Sequence, residues 1–530
     1  MNLKRLLLTV GLLIAVVPAA MSQLQQPYRF EEEVKNSDPG FIVISLKKEG
    51  LAFIRDLNKY DQGKKKWQLE VVDTTLSRIW STELVMENRM ILVGYEYTPK
   101  HIYLLFREGE SDGYNFQLLT IPFYEKSIQS DEIKFEVNFR ITHFTVAGSS
   151  AVFGGYVNNE PAVLLYDQSS DHPKVLPGLF ISDVALLDVR ANQNQSFNVL
   201  LAERRGKEKK RLMVRTFDHE GNLLMDDVID IDPRFTILAG LTSTLEREEM
   251  MIAGTYGEGP SKEALGFFTV VVDPFSEQAV TYTDLTSVDH FLDYLSPRKA
   301  DKIKMRTQKE RTAGRLPYYK EYVMPFRIEE RNDGFYLLAE LYSPSTNLNP
   351  YPYSSSYYNP YAYGGNYPYA PGSNSNRYYN NAYNSPVGNS NSNKYTDVEM
   401  IQSMVIELGP EGKPKKAASI KLDEIKQPAL EQVGDFVIEN DSILILYKKE
   451  GEIIYQKEGS DPEQPPVKKQ VKIKLKDEIT TIKNENDHEG GTRFWYDHTF
   501  YVWGYQTIKG ISKEEDQTRY VFYVNRVSPE

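Results

Sequence analysis

Two observations predict an all-β fold built from repeats. The first is a short stretch that keeps returning. It reads Met250-Met251-Ile252-Ala253-Gly254-Thr255-Tyr256: an apolar run, a small residue, then polar and aromatic residues. Near-copies stand at 90–95 (MILVGY), 151–156 (AVFGGY), 198–203 (NVLLAE), 335–340 (FYLLAE) and 500–505 (FYVWGY), with looser versions at 102–108 (IYLLFRE) and 443–448 (ILILYK). Runs this short, rich in aliphatic, aromatic and β-branched residues, read as buried strands and not helices. The second observation is their recurrence at roughly fifty-residue spacing, the mark of a repeat architecture. Strands do not alternate with helical patterns, which argues against a parallel α/β fold.

Residues 1–22 read as a secretory signal peptide. Lys4 and Arg5 form a basic start, Leu6 to Val17 an apolar core, and Ala20-Met21-Ser22 a small-x-small cleavage site. The apolar core is too short to span a bilayer, and no later stretch approaches the length that would. The mature chain, 23–530, is therefore expected to be a single exported domain, periplasmic or extracellular, without a transmembrane span. The chain has no cysteine, so a lipid-anchored lipoprotein, disulfides, thiol nucleophiles and thiolate metal sites are excluded. Net charge is −12, with 62 basic and 74 acidic residues, which disfavours a nucleic-acid binder.

The strands fall into sets of four joined by turn residues. The first set is 41–46, 51–55, 67–72 and 78–84; the second is 90–97, 102–108, 114–122 and 133–137. The third is 142–147, 151–157, 162–167 and 174–176; the fourth is 184–190, 197–203, 211–217 and 223–229, with a hairpin turn at Asp218 to Asn222. The fifth runs 235–242, 250–256, 266–273 and 279–283. Four strands per set, repeated along the chain, is the layout of β-propeller blades. The sixth set is 322–329, 335–342, 400–408 and 418–422, and the seventh is 435–438, 442–447, 452–456 and 471–475. The last, 492–496, 500–505 and 519–525, stops one strand short, and 26–35 is the natural candidate to complete it. That makes eight blades, or seven if MILVGY is a second strand and not an inner one. The small residue ending each apolar run resembles the glycine that ends that strand in kelch-type propellers. The spaced tyrosine and tryptophan of the kelch pattern are not reproduced.

One insertion leads into the sixth set and a second interrupts it. Residues 286–319 have helical character, with Thr286 and Asp289 placed like a capping box, and a basic second half that includes Arg298, Lys299, Lys302 and Arg306. Residues 345–394 are low-complexity Tyr, Asn, Ser, Pro and Gly, which cannot form a core and read as a disordered loop. Tyrosines supply adaptable contact area, so Tyr351, Tyr353, Tyr357, Tyr358, Tyr361, Tyr363, Tyr378 and Tyr379 join the four basic residues as candidate partner-binding positions. Strand order predicts that both insertions leave one face of the disc.

No catalytic, cofactor-binding or metal-binding residue is singled out. The seven histidines, His101, His143, His172, His219, His290, His488 and His498, show no telling context. Asp487-His488-Glu489 with Asp497-His498 reads as a solvated loop, and Asp226, Asp227, Asp230 and Asp232 as an acidic edge strand without the EF-hand spacing. No nucleophile elbow, P-loop or dinucleotide fingerprint is present. The leading expectation is therefore a non-catalytic exported propeller serving as a protein-binding or scaffold subunit, its partner a protein or glycan at the cell envelope. Two alternatives stand beside it. One is a glycan-processing hydrolase or lyase with carboxylates at the mouth of the central channel, which converging carboxylates or a His–carboxylate group would favour. The other is a structural envelope protein that self-associates through the tyrosine-rich loop.

Overall fold

Successive strands pair antiparallel into six four-stranded sheets and one sheet of seven strands. The computed structural model describes residues 24–529, apart from 110–112, 126, 171, 205–208, 245–248, 260, 274–277, 332–333, 345–397, 428–429, 440, 460–465, 478–479 and 511–517. The expected signal peptide, 1–22, and the tyrosine-rich stretch, 345–394, lie outside the described residues.

The fold is a β-propeller of eight four-stranded blades. Blade 1 is Ile42–Ser45, Leu51–Asp61, Lys64–Val72 and Arg78–Met86; blade 2 begins with Met90–Tyr97, His101–Glu108 and Gly113–Pro122. Blade 4 is Val184–Ala191, Phe197–Glu203, Lys210–Phe217 and Leu223–Ile231; blade 5 is Phe235–Thr242, Met250–Glu258, Gly266–Val272 and Thr281–Asp284. Blade 6 is Tyr322–Arg331, Gly334–Pro344, Val398–Leu408 and Pro414–Gln427; blade 7 is Asp435–Glu439, Ser442–Lys449, Glu452–Glu458 and Lys469–Lys472. Blade 8 takes Thr480–Tyr496, Thr499–Gly510 and Thr518–Ser528 from the end of the chain and Gln25–Glu33 from its start. Phe30 pairs with Val524 and Glu33 with Val521 in that closing ladder, as the one-strand gap predicted.

Between blades 2 and 3 the chain departs from the expected pattern. A single 19-residue strand, Gln129–Ala147, is the outer strand of blade 2 and then the inner strand of blade 3. Its first part pairs with Gly113–Pro122 and its last part with Ser150–Val157; Glu160–Asp167 and Lys174–Val175 complete blade 3. No glycine or proline interrupts this stretch, so nothing breaks the strand where it bends from one blade to the next. The MILVGY run is the inner strand of blade 2 and IYLLFRE its second strand, which settles the count at eight.

Apart from MILVGY, the returning motif is the second strand of a blade, with an apolar face to each side; every residue of Met250–Tyr256 is buried. The side chain after its small residue reaches the next blade. The Leu186 N–H donates to the Tyr156 hydroxyl (3.0 Å), and the Phe41 N–H to the Tyr505 hydroxyl (2.5 Å). Thr255 donates to the Val323 carbonyl (3.4 Å), and Glu340 accepts from the Val433 and Gly434 N–H groups (2.9 and 2.7 Å). The small residue lets the backbones close up: a Cβ on Gly254 would lie 2.0 Å from the Ala239 carbonyl oxygen. Apolar clusters then seal every seam. One joins blades 8 and 1 through Phe30, Phe53 and Phe522, and others join 1 to 2, 2 to 3, 3 to 4, 4 through 7, and 7 to 8.

The 286–319 insertion is less helical than its sequence suggested. Asp284, not Thr286, starts a short turn by accepting from the Thr286 N–H (2.9 Å), and the α-helix, α1, is confined to Pro297–Thr312. Proline at the first helical position sets that start. The insertion enters blade 6 at Tyr322, which pairs with Tyr342, two residues before the strand ends at Pro344. Tyr322, where the insertion ends, and the strand ends Pro344 and Val398 thus lie at the same end of blade 6.

Candidate active site in the central channel

The inner strands of a propeller surround its axis. In blades 2 to 6 each of them carries a β-bulge at a corresponding place, at Val93, Thr142, Leu187, Leu238 and Phe326. Bulges re-aim the side chains that follow them. Here those residues include His143, Asp188 and Arg327, each a polar group within a largely apolar strand.

Around Lys47 the groups of several blades meet. Lys47 follows the inner strand of blade 1 and has φ of 53°, a left-handed conformation that side-chain-bearing residues seldom adopt. It is enclosed by protein yet keeps partial contact with solvent. Burial is the main cause lowering its pKa to about 8; Arg327 of blade 6 adds to the effect, while Asp435 of blade 7 and Glu96 of blade 2 oppose it. Its ammonium lies 5.9 Å from the ring centre of Phe494 in blade 8. Asp435, fully buried, receives Arg327 (2.7 Å) and the Phe494 N–H (2.8 Å). The Arg327 guanidinium is stacked on Phe436 and Phe494, 4.4 and 4.3 Å from their centres, and also meets Glu329. Glu96 accepts from Thr145 (3.0 Å) and the Tyr97 N–H (2.9 Å), but its burial dominates and holds its carboxyl well above the usual range.

A second group lies on the wall of blades 3 to 5. Asp188 accepts from the Thr242 N–H and hydroxyl (2.8 and 2.9 Å) and faces Arg190 at 3.3 Å. Burial pushes His143 down to about 4, with Asp188 pulling the other way. One strand further out, burial raises Glu340 to about 7 against the pull of its backbone donors and Ser403. The wall and the strand behind it therefore combine a lysine titrating near pH 8, carboxyls held above their usual range, an imidazole held below its own, and buried guanidinium charges. Such a set can give and take protons within a low-dielectric enclosure.

None of these residues was singled out by sequence, although a signal existed. Asp188 in VALLDVR, Glu96 in MILVGYE and Arg327 in MPFRIE each interrupt an apolar strand with a charge. The positions that were singled out lie elsewhere. Arg298, Lys299, Lys302 and Arg306 are exposed on α1, Arg306 donating to the Tyr318 carbonyl (2.7 Å). Tyr351, Tyr353, Tyr357, Tyr358, Tyr361, Tyr363, Tyr378 and Tyr379 fall outside the described residues. Of the acidic edge strand and the turn after it, Asp226 pairs with Arg215, Asp230 with Lys209 and Asp232 with Arg234. Among the described residues no helix is long and apolar enough to cross a membrane.

No known protein family matches the chain, and no similar sequence is found among curated proteins. Similar solved structures include the polysaccharide lyase Uly1, at 8% identity and TM-score 0.39, covering 94% of this chain and 100% of that one. The β-propeller domain of the Trilobed protease from Pyrococcus furiosus, described as having an open velcro topology, has 8% identity and TM-score 0.33 over 81% of this chain and 97% of that one. Prolyl oligopeptidase B from Galerina marginata has 12% identity and TM-score 0.32 over 57% of this chain. The chain spans only 38% of that peptidase and 61% of a similar Synechocystis apocarotenoid oxygenase. These neighbours are enzymes or, for the Trilobed protease, a domain of one. It is the set of buried titratable groups on the wall that stands against the expectation of a non-catalytic binding or scaffold subunit. Local sequence signatures are lacking because the polar groups of the wall come from separate blades.

Proposed function

We propose that the chain is an exported glycan-processing enzyme, a hydrolase or lyase, working in its central channel. The observation that supports this reading is the convergence on Lys47 of Glu96, Arg327 and Asp435 from three other blades. Glu96, whose carboxyl burial holds well above the usual range, is suited to donate a proton to the leaving glycosidic oxygen. Lys47, partly neutral near pH 8, is suited to take a proton. In hydrolysis that proton comes from the attacking water; in elimination it comes from the sugar carbon next to the breaking bond, which leaves a carbon–carbon double bond. In both cases one proton enters the leaving group and one is taken up by Lys47. His143 and the Arg327–Asp435 pair hold the wall's charge pattern and orient the bound sugar.

The test is turnover of a polysaccharide panel by the full chain. Product reducing ends measure cleavage, and ultraviolet absorbance of an unsaturated end separates elimination from hydrolysis. Lys47→Met and Glu96→Gln should each lower kcat by about 100-fold or more, with folding intact by circular dichroism. Full activity in both variants would refute the reading.

A further inference from the structure

We infer that the glycan is an acidic one, gripped by its anionic groups at Arg190 on the inner wall and along the exposed face of α1 outside it; this rests on the glycan-processing reading. Arg190 is 2% exposed, and its Nε and Nη2 have no hydrogen-bond partner among the described residues. The nearest carboxylate, Asp188 at 3.3 Å, is already committed to both donors of Thr242. Nε is ion-paired with Asp188, but the buried Nη2 donor is left without an acceptor, which is costly unless one arrives. The planar donor fork suits a carboxylate or a sulfate, each offering oxygens in matching geometry, better than a neutral hydroxyl.

The second observation is independent of the channel. On α1, Arg298, Lys302 and Arg306 are four residues apart and exposed, so they form one row, about 6 Å from each to the next. Lys299 and Lys309 flank them, and of these five none has an ion pair among the described residues. The spacing is within a Debye length, so the charges act together on a linear polyanion. A membrane-surface helix would need a broad apolar face. This helix has already turned its Ala300 and Ile303 into the core. The row therefore suits an acidic polymer and not a bilayer. By chain order α1 lies on the link from the outermost strand of blade 5 to the innermost strand of blade 6, between rim and axis.

The experiment compares binding of the full chain to polygalacturonate, dextran sulfate, neutral dextran and phosphatidylglycerol vesicles over a salt series. Binding to one or both acidic polymers, weakening with salt, is expected; the polygalacturonate and dextran sulfate arms tell carboxylate from sulfate. The triple variant Arg298→Glu, Lys302→Glu, Arg306→Glu should bind about tenfold more weakly or worse. Arg190→Gln should raise KM for the preferred polymer, and Arg190→Lys should recover part of the loss. Equal binding by parent and triple variant, preference for neutral dextran, or binding to vesicles alone would each overturn the inference. Helix-dependent polymer binding with no cleavage of any polymer would instead sink the catalytic reading and leave the acidic ligand standing.

Discussion

Lys47 carries two departures from what a lysine prefers, a left-handed backbone and an enclosed amine. Such backbone strain costs on the order of 1–3 kcal/mol and persists where the surroundings enforce it. Its pKa near 8 sets a pH dependence. Activity that needs neutral Lys47 should climb between roughly pH 7 and pH 9, since the uncharged fraction rises tenfold per unit below the pKa. Lys47→Arg keeps the charge but not the titration, so initial rates across pH should show both a large loss and no rising limb. Glu340 makes a separate prediction about stability. Its folded carboxyl holds a proton up to about pH 7, whereas the ordinary value is 4.5. The folded state therefore binds more protons over that window, and stability is present below it and lost as pH rises through it. The loss is on the order of 3 kcal/mol. Urea unfolding at pH 5 and pH 8 should show that drop in the parent and a clearly smaller one in Glu340→Gln. An equal drop in both would show that Glu340 does not titrate in this range.

At the scale of the strand, the returning motif has a physical reason for each part. The apolar run fills both faces of the second strand, the small residue admits a neighbouring carbonyl, and the next side chain ties one blade to the following one. Removing that tie leaves a buried N–H without its acceptor. Tyr156→Phe and Tyr505→Phe should each cost about 1–3 kcal/mol in chemical denaturation. A change below a few tenths of a kcal/mol in both would mean the ties contribute nothing. The motif was legible in the sequence because burial on both faces leaves an uninterrupted apolar run. The task of its last residue was not, since the reach of a hydroxyl depends on the spacing between blades. The candidate site was scarcely legible for the same reason. Glu96, Arg327 and Asp435 are far apart in the chain, the bulges that aim the inner-strand groups leave no residue signature, and Lys47 stands in an ordinary-looking turn. The helical insertion departs from its reading: the α-helix takes only Pro297–Thr312, and Asp284 displaced the expected capping box.

For the whole molecule, closure is the controlling feature. Gln25–Glu33 covers the edge of the last blade, and Phe30 lies 4.9 Å from Phe53 of blade 1 between ring centres, so one strand serves a sheet and a seam. Deleting residues 23–36 should lower the melting temperature of the entire ring, because an open edge and an uncovered seam appear together. Phe30→Ala should cost about 3–5 kcal/mol. Scanning calorimetry that gives unchanged melting for the deletion would refute this role. The strand shared by blades 2 and 3 has a different consequence. Elsewhere successive blades are joined by connections that could, in principle, be cut and rejoined to add, remove or reorder a module. At Gln129–Ala147 the same backbone belongs to two neighbours, so neither can be excised, duplicated or melted without its twin. As a heritable unit, the ring is made of five exchangeable pieces, one blade closed from both ends of the chain, and one inseparable pair.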